Sequence, residues 1–588
     1  MLVPAFSVFL GILPAALGGA VEDGRRPNFV FILTDDQDTH MNSLDYMPRL
    51  HEHLTQKGAL YSKHYCTVAI CCPSRVNLWT GQMAHNTNVT DVSPPYGGYP
   101  KFVANGYNEN HLALWMQQSG YNTYYSGKLF NSHTVDNYND PPVKGYTGSD
   151  FLLDPFTYQY WNATSTRNGQ PPVNHAGKYS PDLTAQSAYE FLDEAIRDKD
   201  TPFFLTIAPV APHADVTLYP EIIAGPPKVH PRHEHLFQDY KIPRTANFNP
   251  EDPSGVSWVS RLPRLNDTVL DYNDEYQRCR LRSLQAVDEM VEEVVNKLQD
   301  ADVIDDTYII YSTDNGYHIS QHRMHPGKEC GFETDINVPL IIRGPGIQPG
   351  SHRSLPSSHT DLAPTIMHLA GNDLQSHGFD GVPIPITDAD SIEQRQEHVA
   401  VEFWGLGVPE GRYGYSGKYQ FVNGTANAYV NNTYKGLRVE SDEFSLYYSV
   451  WCTNERELYD MKNDPGQLNN LLSSESNSAN INDHTLRSLV PRLDALMMVL
   501  KSCRGEACVK PWQSLHPSGT VNSLSEALHE SYDTFYVTQP KVSFTSCELG
   551  YLVEAEGPQS VFAFPDLLSD SGNQDQKPLF SPDWSMWV

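Results

Sequence analysis

Two acidic clusters in this chain each follow an apolar run: Asp35 and Asp36 come after residues 28–34, and Asp314-Asn315-Gly316 comes after residues 307–313. Together they offer three carboxylates and an amide oxygen. Such an all-oxygen set suits a hard divalent cation, and its looser geometry and room for further ligands favour Ca²⁺ over Mg²⁺. Either cluster alone would be an ordinary acidic turn at a strand end; only their convergence would make a site. Cationic residues are placed in the same manner. Arg75 ends the segment Cys71-Cys72-Pro73-Ser74-Arg75, Lys128 follows the run 121–126, and Lys328 sits in Pro326-Gly327-Lys328. His213, after residues 203–208, has a side chain whose unperturbed pKa near neutrality suits a proton donor to a departing alkoxide, a role for which Lys328 competes. The formal charge of −30 makes nucleic acid and anionic membrane surfaces poor partners. Capture of a small anion therefore requires a local cation cluster of this kind.

To bring these residues together, the runs that precede them must lie side by side with their ends on one edge. Short apolar runs that each end in a polar, potentially reactive residue are how a largely parallel sheet delivers groups to one edge. Helical patterns lie between them. The clearest places Leu281, Leu284, Val287, Met290, Val291, Val294, Val295 and Leu298 at three-and-four spacing. Alternating strand and helix predicts an α/β domain. Beyond about residue 386 the composition shifts to Tyr, Thr, Asn and Gly. Alternating runs at 437–439 and 444–450 predict antiparallel strands, followed by a helix over about 483–500. At 588 residues the chain exceeds one core. The expected division is a leader at 1–20, a catalytic domain at 21–390, and a C-terminal subdomain with tail at 391–588.

The segment from Cys71 to Arg75, continued by Val76-Asn77-Leu78-Trp79-Thr80-Gly81, resembles the sulfatase signature. That resemblance implies conversion of Cys71, not Cys72, to formylglycine by a formylglycine-generating enzyme during secretion. The aldehyde hydrate then carries two geminal hydroxyls. One attacks sulfur to give a formylglycine-sulfate intermediate and the other later expels sulfate. The resemblance also implies one Ca²⁺ held by Asp35, Asp36, Asp314, Asn315 and an oxygen of residue 71. Lys128 and Lys328 correspond to lysines that bind sulfate oxygens, Arg75 and Lys128 to groups that fix the hydrate, and His213 to a histidine contacting sulfate and the leaving oxygen. The implied fold is an alkaline-phosphatase-like α/β/α sandwich with a mostly parallel central sheet and a smaller C-terminal α+β subdomain built on an antiparallel sheet. The implied reaction is hydrolysis of a small-molecule sulfate monoester, an aryl sulfate being favoured. The segment at 458–471 looks like one that many sulfatases place in the C-terminal subdomain, and the stretch 503–532 looks like the branch holding secreted arylsulfatases and glucosamine-6-sulfatases.

One departure from the family pattern concerns the base of the second step. Many sulfatases carry a histidine shortly after the first lysine, whereas here the positions read Leu129, Phe130, Asn131, Ser132 and His133. Asn131, His133 and His318 are the candidates. Rival readings are a sulfated-sugar exo-sulfatase such as a glucosamine-6-sulfatase, a phosphonate or phosphate ester hydrolase of the same superfamily, and a secreted binding glycoprotein whose cysteine stays unmodified. The apolar leader reads as a secretory signal peptide, which fits release from the cell or delivery to a lysosomal, vacuolar or periplasmic-type compartment. No other stretch is long and apolar enough for a membrane span. Sequons at Asn88, Asn162, Asn266, Asn423 and Asn431 suit a glycoprotein. Of nine cysteines, removal of Cys71 leaves an even eight, compatible with disulfides, and Cys503–Cys508 is the expected pair. The sequence leaves the oligomeric state open.

Overall fold

A computed structural model of the chain describes residues 26–217, 223–387, 396–414, 428–473 and 480–558. The leader and the Asn423 sequon lie outside the described residues. Five parallel strands form the centre of a ten-stranded sheet: β1 (Asn28–Thr34), β2 (Asn122–Gly127), β3 (Gly148–Leu152), β4 (Phe203–Ala208) and β5 (Thr307–Thr313). Their order across the sheet is β5-β1-β4-β2-β3, and antiparallel strands extend both flanks.

Both faces of this sheet are covered, and β1 shows why its sequence is apolar throughout. Successive side chains of a strand point to opposite faces. Phe29, Phe31 and Leu33 pack with Val76 and Trp79 of α1 (Cys71–Thr80). Val30 and Ile32 pack with Phe191 of α2 (Ser180–Arg197) and with Leu284, Val287 and Val291 of α3 (Asp267–Asp300). A strand buried on both faces has no polar alternation to show.

Helix α3 is longer than its apolar stripe, which starts at Leu281. The structure begins it at Asp267, with the Asn266 side chain capping the Val269 N–H at 3.1 Å. Its first half buries polar groups, among them Asn273, Gln277 and Arg280. Apolar periodicity cannot register a face that is buried yet hydrophilic.

The second layer system is a four-stranded antiparallel sheet of β6 (His398–Phe403), β7 (Tyr434–Glu440), β8 (Ser445–Trp451) and β9 (Arg456–Asp460), in that order. Helix α4 (Leu486–Leu500), capped by the Thr485 side chain, packs on it through Leu489, Leu493 and Leu496. The opposite face meets the segment leading into α1, where Tyr65, Val68 and Ile70 contact Val399, Val401 and Trp451.

Disulfides join Cys452 to Cys547 and Cys503 to Cys508, while Cys66, Cys71, Cys72, Cys279 and Cys330 remain thiols. The even count thus does not translate into complete pairing. Cys66, Cys72 and Cys330 are buried as small apolar side chains instead.

A buried ionic cluster ties the two parts together. Glu402 of β6 accepts from His85 Nδ1 at 2.8 Å and from Lys435 Nζ at 2.7 Å, and Lys435 also lies 3.3 Å from Glu556. Against burial, which would raise it, His85 and Lys435 hold the Glu402 carboxyl at about 2, below its ordinary 4.5. A depressed carboxyl contributes stability above its unfolded pKa and loses it as pH falls toward the folded value, here from about 4.5 to about 2. Glu402→Gln should cost about 3 kcal/mol at neutral pH in urea denaturation, with the gap to wild type narrowing near pH ~3. A pH-independent gap would contradict the assignment.

Candidate active site

The carboxyl ends of β1, β2, β4 and β5 converge on one buried cluster. β1 ends in Asp35 and Asp36, β2 leads to Lys128, β4 to the turn holding His213, and β5 to Asp314 and Asn315. Cys71 opens α1, so its side chain faces the same edge. These seven residues, with Arg75 and Lys328, are buried.

The charges interlock. Arg75 Nε donates to Asp314 Oδ2 at 2.8 Å and its Nη1 to the Lys128 carbonyl at 2.6 Å, while Nη2 lies 3.5 Å from Asp35 Oδ2. Lys128 Nζ meets Asp35 Oδ2 at 2.7 Å. Lys328 Nζ donates to both Asp36 oxygens at 2.6 Å and lies 3.4 Å from Cys71 Sγ. Cys71 Sγ in turn is 3.6 Å from Asp35 Oδ1. The backbone is shaped to permit this. Asp36 has φ of 65°, in the left-handed region that Asp tolerates, and its N–H donates to Asp314 Oδ1 at 3.0 Å. A Cβ on Gly316 would sit 2.3 Å from the Thr334 carbonyl, so close backbone approach dictates glycine there.

Burial, then the neighbouring Asp314, pushes Asp35 up to about 7 despite Lys128 and Arg75. Against burial, Lys328 and His213 hold Asp36 below its usual range, and Arg75 with both lysines does the same to Asp314. Burial pushes the Cys71 thiol well above its ordinary value, so as a thiol it stays protonated and is a poor nucleophile.

A divalent cation fits these residues. The Asn315 side-chain oxygen is buried with no hydrogen-bond partner, and ligand atoms of Asp35, Asp36, Cys71 and His213 lie within 4.8 Å of one another. Crowded carboxylates that push Asp35 toward neutrality are the arrangement a cation relieves. Oxygen donors dominate the set, as hard ions require.

His213 departs from an unperturbed histidine. Burial, opposed by Asp36 but reinforced by both lysines, pushes it down to about 4. Its Nδ1 lies 2.9 Å from the Ala214 carbonyl, which can only accept, so Nδ1 carries a proton. Nε2, the other ring nitrogen, lies 3.5 Å from Asp36 Oδ2.

The second-step candidates are dispersed. Asn131 reaches the cluster at one remove, its Nδ2 donating to the Tyr158 hydroxyl at 2.6 Å. His133 packs against Tyr99 and Phe151, with ring centroids 4.4 and 5.6 Å away, and burial takes it to about 4. His318 Nδ1 is held by the Asp335 carboxylate at 2.9 Å.

Three residues outside the sequence-based set complete the surroundings. Tyr158 stacks on the His213 ring at 4.2 Å and 23°, with Lys128 Nζ 4.7 Å from its ring centre. Arg280 of α3 donates to the Asp36 carbonyl at 2.5 Å and to the Pro212 carbonyl at 3.3 Å, so it braces both turns. His359 Nδ1 and the Asp314 carbonyl meet Ser74 Oγ at 2.8 and 2.5 Å. A lone Tyr between Thr157 and Gln159, a polar stretch of helix and an isolated His carry no signal in one sequence.

The family model described as Sulfatase matches residues 27–372. An arylsulfatase of Volvox carteri is 38% identical over 571 residues, covering 92% of this chain and 84% of its own length. The chain belongs to the sulfatase family. The sulfatase is thus a sulfuric ester hydrolase, and its family implies a formylglycine and a metal ion. An N-acetylglucosamine-6-sulfatase of Homo sapiens is 29% identical, covering 86% of this chain and 90% of its own. A solved structure in complex with D-glucosamine-2-N,6-O-disulfate superposes with a TM-score of 0.59 at 22% identity, over 77% of this chain and 94% of its own. A phosphonate monoester hydrolase of Silicibacter pomeroyi gives 0.53 at 19%, over 76% and 92%; at these identities the likeness is one of fold. The α/β/α sandwich with a separate antiparallel sheet, expected from the signature, is the architecture present. No helix among the described residues is long and apolar enough to cross a membrane.

Proposed function

We propose that this sulfatase hydrolyses aryl sulfates, with Cys71 oxidised to formylglycine and one Ca²⁺ held by Asp35, Asp36, Asp314, Asn315 and residue 71. The observation that carries the reading is Cys71, first residue of a helix, set among three buried carboxylates and three buried cations. Formylglycine at 71 supplies paired hydroxyls, one to take up the sulfuryl group and one to release it, and the cation supplies neutralising charge.

The chain's own residues do the rest. Lys128 and Lys328 bind sulfate oxygens where charge develops, and Arg75, anchored on Asp314, holds residue 71 and Lys128 in register. Lys328 Nζ, held on both Asp36 oxygens and 3.4 Å from Cys71 Sγ, is placed to donate a proton to the departing ester oxygen. His213, with Nδ1 turned to the Ala214 carbonyl, presents Nε2 to the cluster, where it is placed to exchange a proton with the reacting oxygens.

An aryl leaving group is supported by the 38% identical arylsulfatase of Volvox carteri. Secretion is supported by the leader and by likeness to extracellular sulfatase homologues of Caenorhabditis elegans and Drosophila melanogaster. The exposed Asn88, Asn266 and Asn431 suit glycosylation, and Asn162 is partly exposed. Turnover of an aryl sulfate, an aryl phosphate and glucosamine-6-sulfate by the matured protein tests the reading. The aryl sulfate should give the highest kcat/KM; preference for the phosphate or the sugar would refute it.

Tyr158 should act by keeping the His213 ring in place. Tyr158→Ala is expected to lower kcat by about 10- to 100-fold with a smaller change in KM, whereas Tyr158→Phe, which keeps the stack, should stay within about threefold. Equal losses in both variants would show that the hydroxyl matters and the stack does not.

A further inference from the structure

One acidic residue outside the cluster is docked beside it by the segment that follows β6. Glu410 lies on the segment after β6, and its backbone N–H donates to the Pro326 carbonyl at 2.6 Å, docking it on the loop that carries Lys328. Two tyrosine hydroxyls donate to Glu410 Oε2, Tyr317 at 2.5 Å and Tyr276 at 3.3 Å. The Tyr317 ring lies 4.0 Å from the Arg280 guanidinium, the same group that braces the Asp36 and Pro212 carbonyls. Glu410 is therefore fixed through the floor of the site. It is only partly buried, and among the described residues no cation stands within ion-pair distance of it. Its segment borders the loop that brings Lys328 to the cluster.

A carboxylate in this position contributes nothing to holding sulfate, whose charge is met by Lys128, Lys328 and Arg75. Its effect falls on what is attached to the sulfate. Two like charges within several ångströms in a partly desolvated site repel strongly enough to discriminate substrates about tenfold or more, and a charge-based penalty of this sort is an economical way to refuse a competitor. Uncharged leaving groups escape the penalty, and a hydroxyl or ammonium near Oε1 gains a hydrogen bond.

We propose that Glu410 selects the leaving group: the site takes monosulfate esters that are uncharged or hydrogen-bond donating beside the ester and rejects those with a second anionic group there. This rests on the sulfate-ester reading of the site, yet its test needs no turnover. Phenylmethanesulfonate mimics a phenyl sulfate with carbon in place of the ester oxygen, and its 2-carboxy derivative adds one anionic group beside it. Calorimetric Kd values of both sulfonates for the mature protein give a selectivity ratio. The wild type should favour the unsubstituted compound by about tenfold or more, and Glu410→Gln should reduce that ratio at least about fivefold. Tyr317→Phe, which keeps the ring over Arg280 but drops the hydroxyl that holds Glu410, should move the ratio in the same direction. An unchanged ratio in Glu410→Gln, or failure of the wild type to bind either sulfonate, overturns the proposal. Failure to hydrolyse phenyl sulfate with the ratio as stated would instead refute the catalytic reading and leave the selectivity assignment standing.

Discussion

Cys71→Ala should abolish sulfate-ester turnover, lowering kcat/KM by at least about 10⁴-fold while leaving the fold intact. The size follows from what residue 71 does. Lysines, arginine and metal ligands that stabilise charge retain some effect without a nucleophile, but the covalent route itself is lost. Alanine at the first position of α1 costs little, because that position lacks an intrahelical N–H partner in any case and the thiol makes only long contacts, to Asp35, Asp36 and Lys328. Circular dichroism and thermal unfolding should therefore be close to wild type. Mass spectrometry of the peptide carrying residue 71 supplies the complementary result: protein from a secreting host should be lighter than the cysteine form by the exchange of sulfur and two hydrogens for oxygen. Full-length protein with an unmodified thiol and appreciable turnover would defeat the proposed chemistry. An unmodified thiol with no turnover would favour a binding glycoprotein.

Legibility of the molecule from its sequence followed burial and polarity. The strands β1, β4 and β5 coincide with the apolar runs because strands covered by helices on both sides are apolar at every position. The residues closing those runs could be named for the same reason: a parallel sheet leaves only one edge on which they can meet. Arg280 escaped because the half of α3 that touches the site is buried and polar, a combination that periodicity of apolar residues does not detect. Tyr158 and Glu410 escaped for a different reason. Each is brought in by a loop from outside the central strands, and nothing in the spacing of loop residues encodes where they end. The tautomer and low pKa of His213 depend on the Ala214 carbonyl and on enclosure, both properties of the folded chain.

Asp36→Asn should cost about 10³-fold in kcat/KM and, unlike Cys71→Ala, should also destabilise the protein by about 3–5 kcal/mol. Asp36 balances two groups at once, with both oxygens on Lys328 and one facing His213. Its carboxyl is held below the ordinary value, so its contribution to stability is present above that value and is lost as pH falls through the folded one. An amide presents one oxygen and a donor that opposes the Lys328 ammonium, leaving a buried cation without its counter-ion. Cation affinity falls for the same reason, since one of three carboxylates is gone. Chelation separates the two losses in the wild type: it should remove activity and lower the unfolding temperature, Ca²⁺ should restore both more fully than Mg²⁺, and the Asp36→Asn protein should show little further change on chelation. If the variant instead loses activity with unaltered unfolding and unaltered calcium affinity, the carboxylate acts on the substrate alone. The ammonium–carboxylate interlock would then not be what holds this edge of the sheet together.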